Sequence, residues 1–277
     1  MKRDVIRRKA TSVRETDEAD VRDGGVQSVD RALSIIETLA EDDEGYRLSD
    51  LAVRTGLSTS TVHRLLATLE KRRFVQFDRT ESKWHIGAQS FSVGATFARR
   101  RNFAAQAMPY LRKLRDQTRE TANLAVVDDE SIIVLTRAES REIMRSLTKV
   151  GGRVAMVASG VGKAVLATYA DEDVNAIIRH HGMPRLTEKS IVRPSDLFRE
   201  LELVRSQGFA VDDEEACMGL RCIAAVVYND CAEPLAAISI SGMTSRVTDD
   251  RLPLLGRLVR DAATELTLAL GGVMPNR

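Results

Sequence analysis

Four stretches of this chain combine residue types and spacings suited to recognition or chemistry. Ser239 and Ser241 stand two apart in Ala237-Ile238-Ser239-Ile240-Ser241-Gly242, so on a strand both hydroxyls face one side and Ile240 the other. Such a pair can satisfy itself or nearby backbone, or it can hold a small polar ligand; spacing alone leaves both open. In Ala158-Ser159-Gly160-Val161-Gly162-Lys163 small residues open a helix, where bare amides at Gly160 and Val161 could receive a carboxylate. Plain helix capping explains the stretch equally well. It is not a nucleotide-binding loop, because the glycines are too closely spaced and Ala164 follows the lysine where a hydroxyl should bind magnesium.

The third stretch pairs Val211-Asp212-Asp213-Glu214-Glu215 with Gly219-Leu220-Arg221-Cys222. A cysteine beside a strand invites a nucleophilic reading. However, His180 and His181 fall in a charged, loop-like stretch with no orienting acid, so no catalysis is expected. The fourth is Ser58-Thr59-Ser60-Thr61-Val62-His63-Arg64, rich in hydroxyls and bases. His63 has no second ligand nearby, which argues against metal and for contact with a polyanion or with solvent.

These side chains need elements to hold them. Val29, Ala32, Leu33, Ile36 and Leu39 recur at helical steps and predict one buried stripe on a first helix. A second, short helix turns Leu48, Leu51 and Ala52 inward and stops at Gly56, which can take a positive φ. Ser58 then caps a third helix with Val62, Leu65, Leu66 and Leu69 inward and the polar residues outward. Two strands follow, 74–77 and 83–86, around a loop carrying Arg79 and ending at Lys83. Together these form a winged helix-turn-helix, whose third helix enters a major groove. A connecting helix over residues 87–102, with Phe91 and Phe97, needs a partner surface. A homodimer on a palindromic operator is therefore expected, with a dimer of dimers possible.

Charge agrees with this division. The chain has 277 residues and a net charge of +1, yet residues 47–101 hold eleven bases and four acids, whereas residues 103–277 hold 22 bases and 24 acids. A basic module joined to a slightly acidic one suits a protein that touches DNA with one part only. Residues 1–25 mix seven bases with six acids and few apolar residues, as a solvated arm would. Residues 103–271 alternate helical and strand patterns, with strands expected at 123–127, 132–136, 143–148, 209–212, 222–228 and 235–241. Helices are expected near Gly160 (163–169), Asp173 and Ser195, with a last one from Thr248 to Leu270. That order predicts an α+β domain on an antiparallel sheet, followed by a tail over 272–277. No apolar run approaches the ~18 residues of a membrane span, and three cysteines make no disulfide framework. The expected compartment is the cytoplasm.

Val26-Gln27-Ser28-Val29-Asp30-Arg31-Ala32-Leu33, Ser60-Thr61-Val62-His63-Arg64-Leu65-Leu66 and Gly87 resemble the IclR family of bacterial transcription regulators. The likeness spans residues 26–271. Within it, Asp212-Asp213-Glu214-Glu215, Gly219-Leu220-Arg221-Cys222-Ile223-Ala224-Ala225, 237–242 and Thr248-Asp249-Asp250-Arg251 look most like the glyoxylate-responsive branch. The resemblance implies a GAF-like effector domain that binds glyoxylate, with pyruvate, another small acid or a ureide as alternatives, and needs no other cofactor. Carried over by motif, Gly160, Val161, Asp212, Cys222, Ser239 and Ser241 would hold the effector and Leu220 would wall it. Ser146 and Val154 stand where that branch has a methionine and a leucine, changes that enlarge or polarise the cavity. An oxoacid-processing enzyme built on Cys222 is the rival reading.

Overall fold

The computed structural model describes residues 26–100, 103–128, 131–140 and 149–275. The expected arm, Ser146 and the strand expected at 143–148 lie outside these residues. The chain forms two compact units that divide between Ser92 and Val93.

In the first unit α1 spans Gln27–Ala40, α2 Leu48–Thr55 and α3 Thr59–Lys71. Strands β1 (Val75–Asp78) and β2 (Lys83–Ile86) pair antiparallel, and Tyr46 bridges to Trp84. Gly56 makes the α2–α3 turn at φ +66°, a conformation that costs glycine little. Its core is Ile35, Leu39, Tyr46, Leu51, Val62, Leu66, Val75 and Trp84. The expected stripe on α1 needs correction. Ile35, Thr38 and Leu39 are its buried residues, while Val29 and Leu33 are 54% and 52% exposed. Apolar residues cover more than one face of this helix, and the small core takes only the face toward α2 and α3.

A helix α4, Ala88–Arg100, crosses the division, and α5 spans Phe103–Thr118. The second unit carries β3 (Thr121–Asp128), β4 (Ser131–Ala138), β5 (Arg153–Val154), α6 (Gly160–Leu166), α7 (Asp171–His181) and α8 (Pro194–Gln207). It continues through β6 (Ala210–Asp213), β7 (Leu220–Tyr228), β8 (Pro234–Met243) and α9 (Leu252–Ala269). The six strands form one antiparallel sheet in the order β5-β4-β3-β8-β7-β6. One face buries Leu124, Ile223, Ile238 and Ile240 against α5 and α9. The other buries Ala125, Ala224, Val226 and Ala237 against α6, α7 and α8. The fold is thus α+β, as expected.

Three local expectations are corrected. Helix α6 begins at Gly160 rather than Lys163, because the Ser159 hydroxyl accepts the Gly162 N–H at 3.0 Å and caps it. His180 and His181 form the last turn of α7 rather than a loop. Three acids in its first turn and three bases in its last complement the helix dipole. The last helix starts at Leu252, not Thr248, after a turn closed by Arg251 N–H to Thr248 O. Pro253 takes a first-turn position where a missing N–H costs nothing.

Candidate functional site

The first unit presents the outer face of α3. Ser58 accepts the Thr61 N–H at 3.2 Å and lies 2.8 Å from its hydroxyl, so the cap and the first turn are one hydrogen-bonded cluster. Ser58, Thr59, Ser60, His63 and Arg64 are exposed and Thr61 half-buried. Beside them, a cleft of about 630 Å³ lies between α2, α3 and the wing, lined by Arg47, Ser49, His63, Phe77, Arg79 and Trp84 among others. The wing loop is shaped by Asp78, whose carboxylate accepts the N–H groups of Thr80 (2.7 Å) and Glu81 (3.2 Å). Those bonds, Glu81's foremost, hold its carboxyl below the usual range. Arg79 lies within this hydrogen-bonded turn. Lys83 differs from the other expected DNA contacts. Its ammonium is 3.3 Å from Glu81 and 4.0 Å from Glu44, so it is engaged within the protein.

In the second unit the sheet register assembles the other group. Asp212, Cys222, Ser241 and Thr121 are successive cross-strand partners on β6, β7, β8 and β3. The next polar row is Ser239, Asn123 and Arg137 on β8, β3 and β4. These residues share the α6 face, so one end of an otherwise apolar layer is polar. Asp212 and Ser239 are 4% and 2% exposed. Gly160 packs directly on this floor: a Cβ there would lie 3.0 Å from the Cys222 carbonyl and 3.3 Å from its Sγ. A side chain there would press on the floor by a few tenths of an ångström, and Val161 beside it is buried. Leu220, two residues before Cys222, stands half-buried on the same side. Val154 packs against the same α6-side core as Val161 and Cys222. It lies on β5 at the edge of the sheet, paired with Ile132. Ser146 lies outside the described residues.

Electrostatics follows from burial. Desolvation raises the Asp212 carboxyl above its ordinary range, opposed by the Glu215 and Ala216 N–H groups at 2.8 and 3.3 Å and by Lys163. Burial, helped by Asp212, pushes the Cys222 thiol up to about 12, against hydrogen bonds from Ser241 and Ser239. A thiol held protonated is a poor nucleophile.

Sequence reasoning missed Lys163, Glu215 and Asn123. Lys163 has no exposed surface. Its ammonium donates to Glu200 at 3.1 Å, to the Val211 carbonyl at 2.5 Å and to Glu215. Glu215 is 5% exposed; its Oε2 has no hydrogen-bond partner among the described residues, and burial raises its carboxyl despite Lys163. The available signal was a lysine between Val161-Gly162 and Ala164-Val165-Leu166, an apolar setting that a solvated lysine seldom has. For Asn123 the signal was its alternation with Thr121 along an apolar strand.

A winged helix-turn-helix with a basic, hydroxyl-rich third helix defines a class of DNA-binding regulators. Residues 28–79 match the IclR helix-turn-helix domain, and residues 95–268 match the family described as bacterial transcriptional regulator IclR C-terminal. The chain belongs to the IclR family of DNA-binding transcriptional regulators. It is 41% identical over 251 residues to the acetate operon repressor of Salmonella typhimurium, covering 90% of this chain and 92% of that protein. It is 36% identical over 247 residues to the HTH-type transcriptional repressor AllR of Escherichia coli, covering 89% and 91%. The crystal structure of Thermotoga maritima IclR shares the fold, with a TM-score of 0.70 at 23% identity over 88% of this chain and 99% of that one. Both families and the named relatives are regulators rather than enzymes. Among the described residues no helix is long and apolar enough to cross a membrane.

Proposed function

We propose that this protein is a repressor whose operator affinity is lowered by a small 2-oxoacid, glyoxylate first, bound over the polar rows of the second unit. The observation that supports this best is the alignment of Asp212, Cys222 and Ser241 across three strands beneath Gly160. A two-carbon oxoacid needs anion-accepting amides at one end and hydrogen-bonding groups at the other. The amides of Gly160 and Val161 serve the carboxylate, and Ser239 and Ser241 serve the carbonyl or its hydrate. Asp212, if ionised, repels a carboxylate at close range and so takes hydrogen bonds from the far end of the ligand. The names of the relatives support repression. We place the protein on a palindromic operator as a homodimer or a dimer of dimers. Exposed Val26, Val29 and Leu33 on or next to α1 and Phe91 on α4 offer apolar surface for a second copy. Effector binding must favour one arrangement of subunits over another, since a ligand with equal affinity for both shifts nothing.

The test is calorimetric titration with glyoxylate, pyruvate, glycolate and oxalate, alongside mobility shifts on DNA upstream of the protein's own gene. Selective glyoxylate binding with release of DNA is the expected result. Release by pyruvate alone would reassign the effector, and turnover of the oxoacid would replace the sensor by an enzyme.

A further inference from the structure

Asn123 lies at the junction of the two polar rows. It is 8% exposed, its cross-strand partner on one side is Ser239 and on the other Arg137, and its Nδ2 donates to Ser241 Oγ at 3.3 Å. Amide nitrogen and oxygen differ only in which is donor, so the neighbours decide the orientation. The bond to Ser241 turns the amide nitrogen toward β8 and so the oxygen toward β4. The Ser241 oxygen therefore receives a hydrogen bond from behind, which leaves its own proton for the Cys222 sulfur, a weak acceptor, or for a ligand oxygen over the floor.

We propose that Asn123 is a positioning residue: it fixes the Ser241 hydroxyl as a donor and thereby sets the site to prefer a carbonyl oxygen over a hydroxyl at that point of the ligand. This rests on the effector reading above. A 2-oxoacid presents an acceptor to the Ser241 proton, whereas the matching 2-hydroxyacid also brings a proton of its own that must find another acceptor. The selectivity lies in the direction of one O–H bond, set by a residue on a different strand.

The experiment compares affinities for two pairs, glyoxylate with glycolate and pyruvate with lactate, by calorimetry on the full chain. Asn123→Asp keeps the shape and its Arg137 neighbour but replaces the donor by an acceptor, drawing the Ser241 proton backward. The oxo-over-hydroxy ratio is expected to fall by roughly tenfold, the size of one reoriented neutral hydrogen bond. Asn123→Ala should lose part of the preference, which provides a second variant if the first folds poorly, with operator binding without effector as the check on folding. In a Ser241→Ala background Asn123→Asp should leave the ratio unchanged, because its effect runs through that hydroxyl. A selective parent whose ratio survives Asn123→Asp, or shifts equally without Ser241, overturns the proposal and leaves the effector reading standing. A parent that binds both members of each pair equally overturns it as well. A parent that binds none of the four acids removes the effector reading and this proposal together.

Discussion

Replacing Lys163 by methionine tests whether the buried cluster of Lys163, Glu200 and Glu215 is an electrostatic unit. The side chain of Lys163 is 0% exposed, that of Glu215 7% and that of Glu200 24%. Glu200 can turn to water once its partner is gone, but Glu215 cannot. Methionine fills the space of the lysine stem, so little cavity cost enters. What remains is an unpaired buried carboxylate, which costs about 3–5 kcal/mol. For a unit of this size that corresponds to a fall of about 6–20 °C in Tm. Glu215 can escape the penalty by taking a proton. Its folded-state pKa already lies above its ordinary value because of burial, and losing Lys163 raises it further. A carboxyl with a raised folded pKa stabilises the fold in its protonated form, and that contribution is lost as pH rises through the folded pKa. The gap between parent and Lys163→Met should therefore be widest at pH 8 and narrow toward pH 5. The double variant Lys163→Met with Glu215→Gln should recover most of the loss at every pH. Thermal unfolding by far-UV circular dichroism across that range reads all three. A single variant that melts within about 2 °C of the parent at pH 7.5, or a gap that ignores pH, would refute the reasoning.

Three further outcomes are expected. Arg64→Ala should weaken operator binding by about 1–3 kcal/mol and relax sequence preference, read by fluorescence anisotropy on specific and scrambled DNA; equal losses on both would make Arg64 a phosphate contact. Gly160→Ala drives a methyl against the Cys222 carbonyl and sulfur at 3.0 and 3.3 Å. It should cost about 1–3 kcal/mol of stability and most of the effector affinity while sparing effector-free operator binding, and calorimetry showing unchanged effector affinity would move the site elsewhere. Because an ionised Asp212 repels the ligand and burial already holds its carboxyl high, glyoxylate should bind with Asp212 protonated and so take up a proton. Affinity should then fall with rising pH above that raised value, by up to about tenfold per unit, and Asp212→Asn should abolish the slope, measured in buffers of different ionisation enthalpy.

Much of this architecture is legible in local spacing. Gly56 before Ser58, and Leu65, Leu66 and Leu69 behind Arg64, announce the helix-turn-helix because turn, cap and stripe depend on neighbours in sequence. Ser239 and Ser241 share a face because strand geometry has a period of two. Partnership across strands is a different matter. Asn123 meets Ser241 only because β3 lies beside β8, a neighbour far away in sequence that no local pattern names. Lys163 was read as the end of a glycine motif because its partners, Glu200 and Glu215, come from α8 and from beyond β6. Val154 sits on β5, and its place against the α6-side core follows from a β4–β5 pairing that no local pattern names. On α1 the periodicity marked apolar residues correctly without saying which of them the core would take.

The three cysteines of this chain sit at three depths: Cys231 exposed, Cys217 intermediate and Cys222 buried in the polar floor. Alkylation followed by mass spectrometry would thus resolve them in time. Cys231 labels at once, whereas Cys222 labels only as fast as α6 lifts from β7. Any molecule seated over that floor slows this last step in proportion to its occupancy. The protein therefore carries a native clock for the separation of α6 from β7, readable without DNA, dye or engineered label.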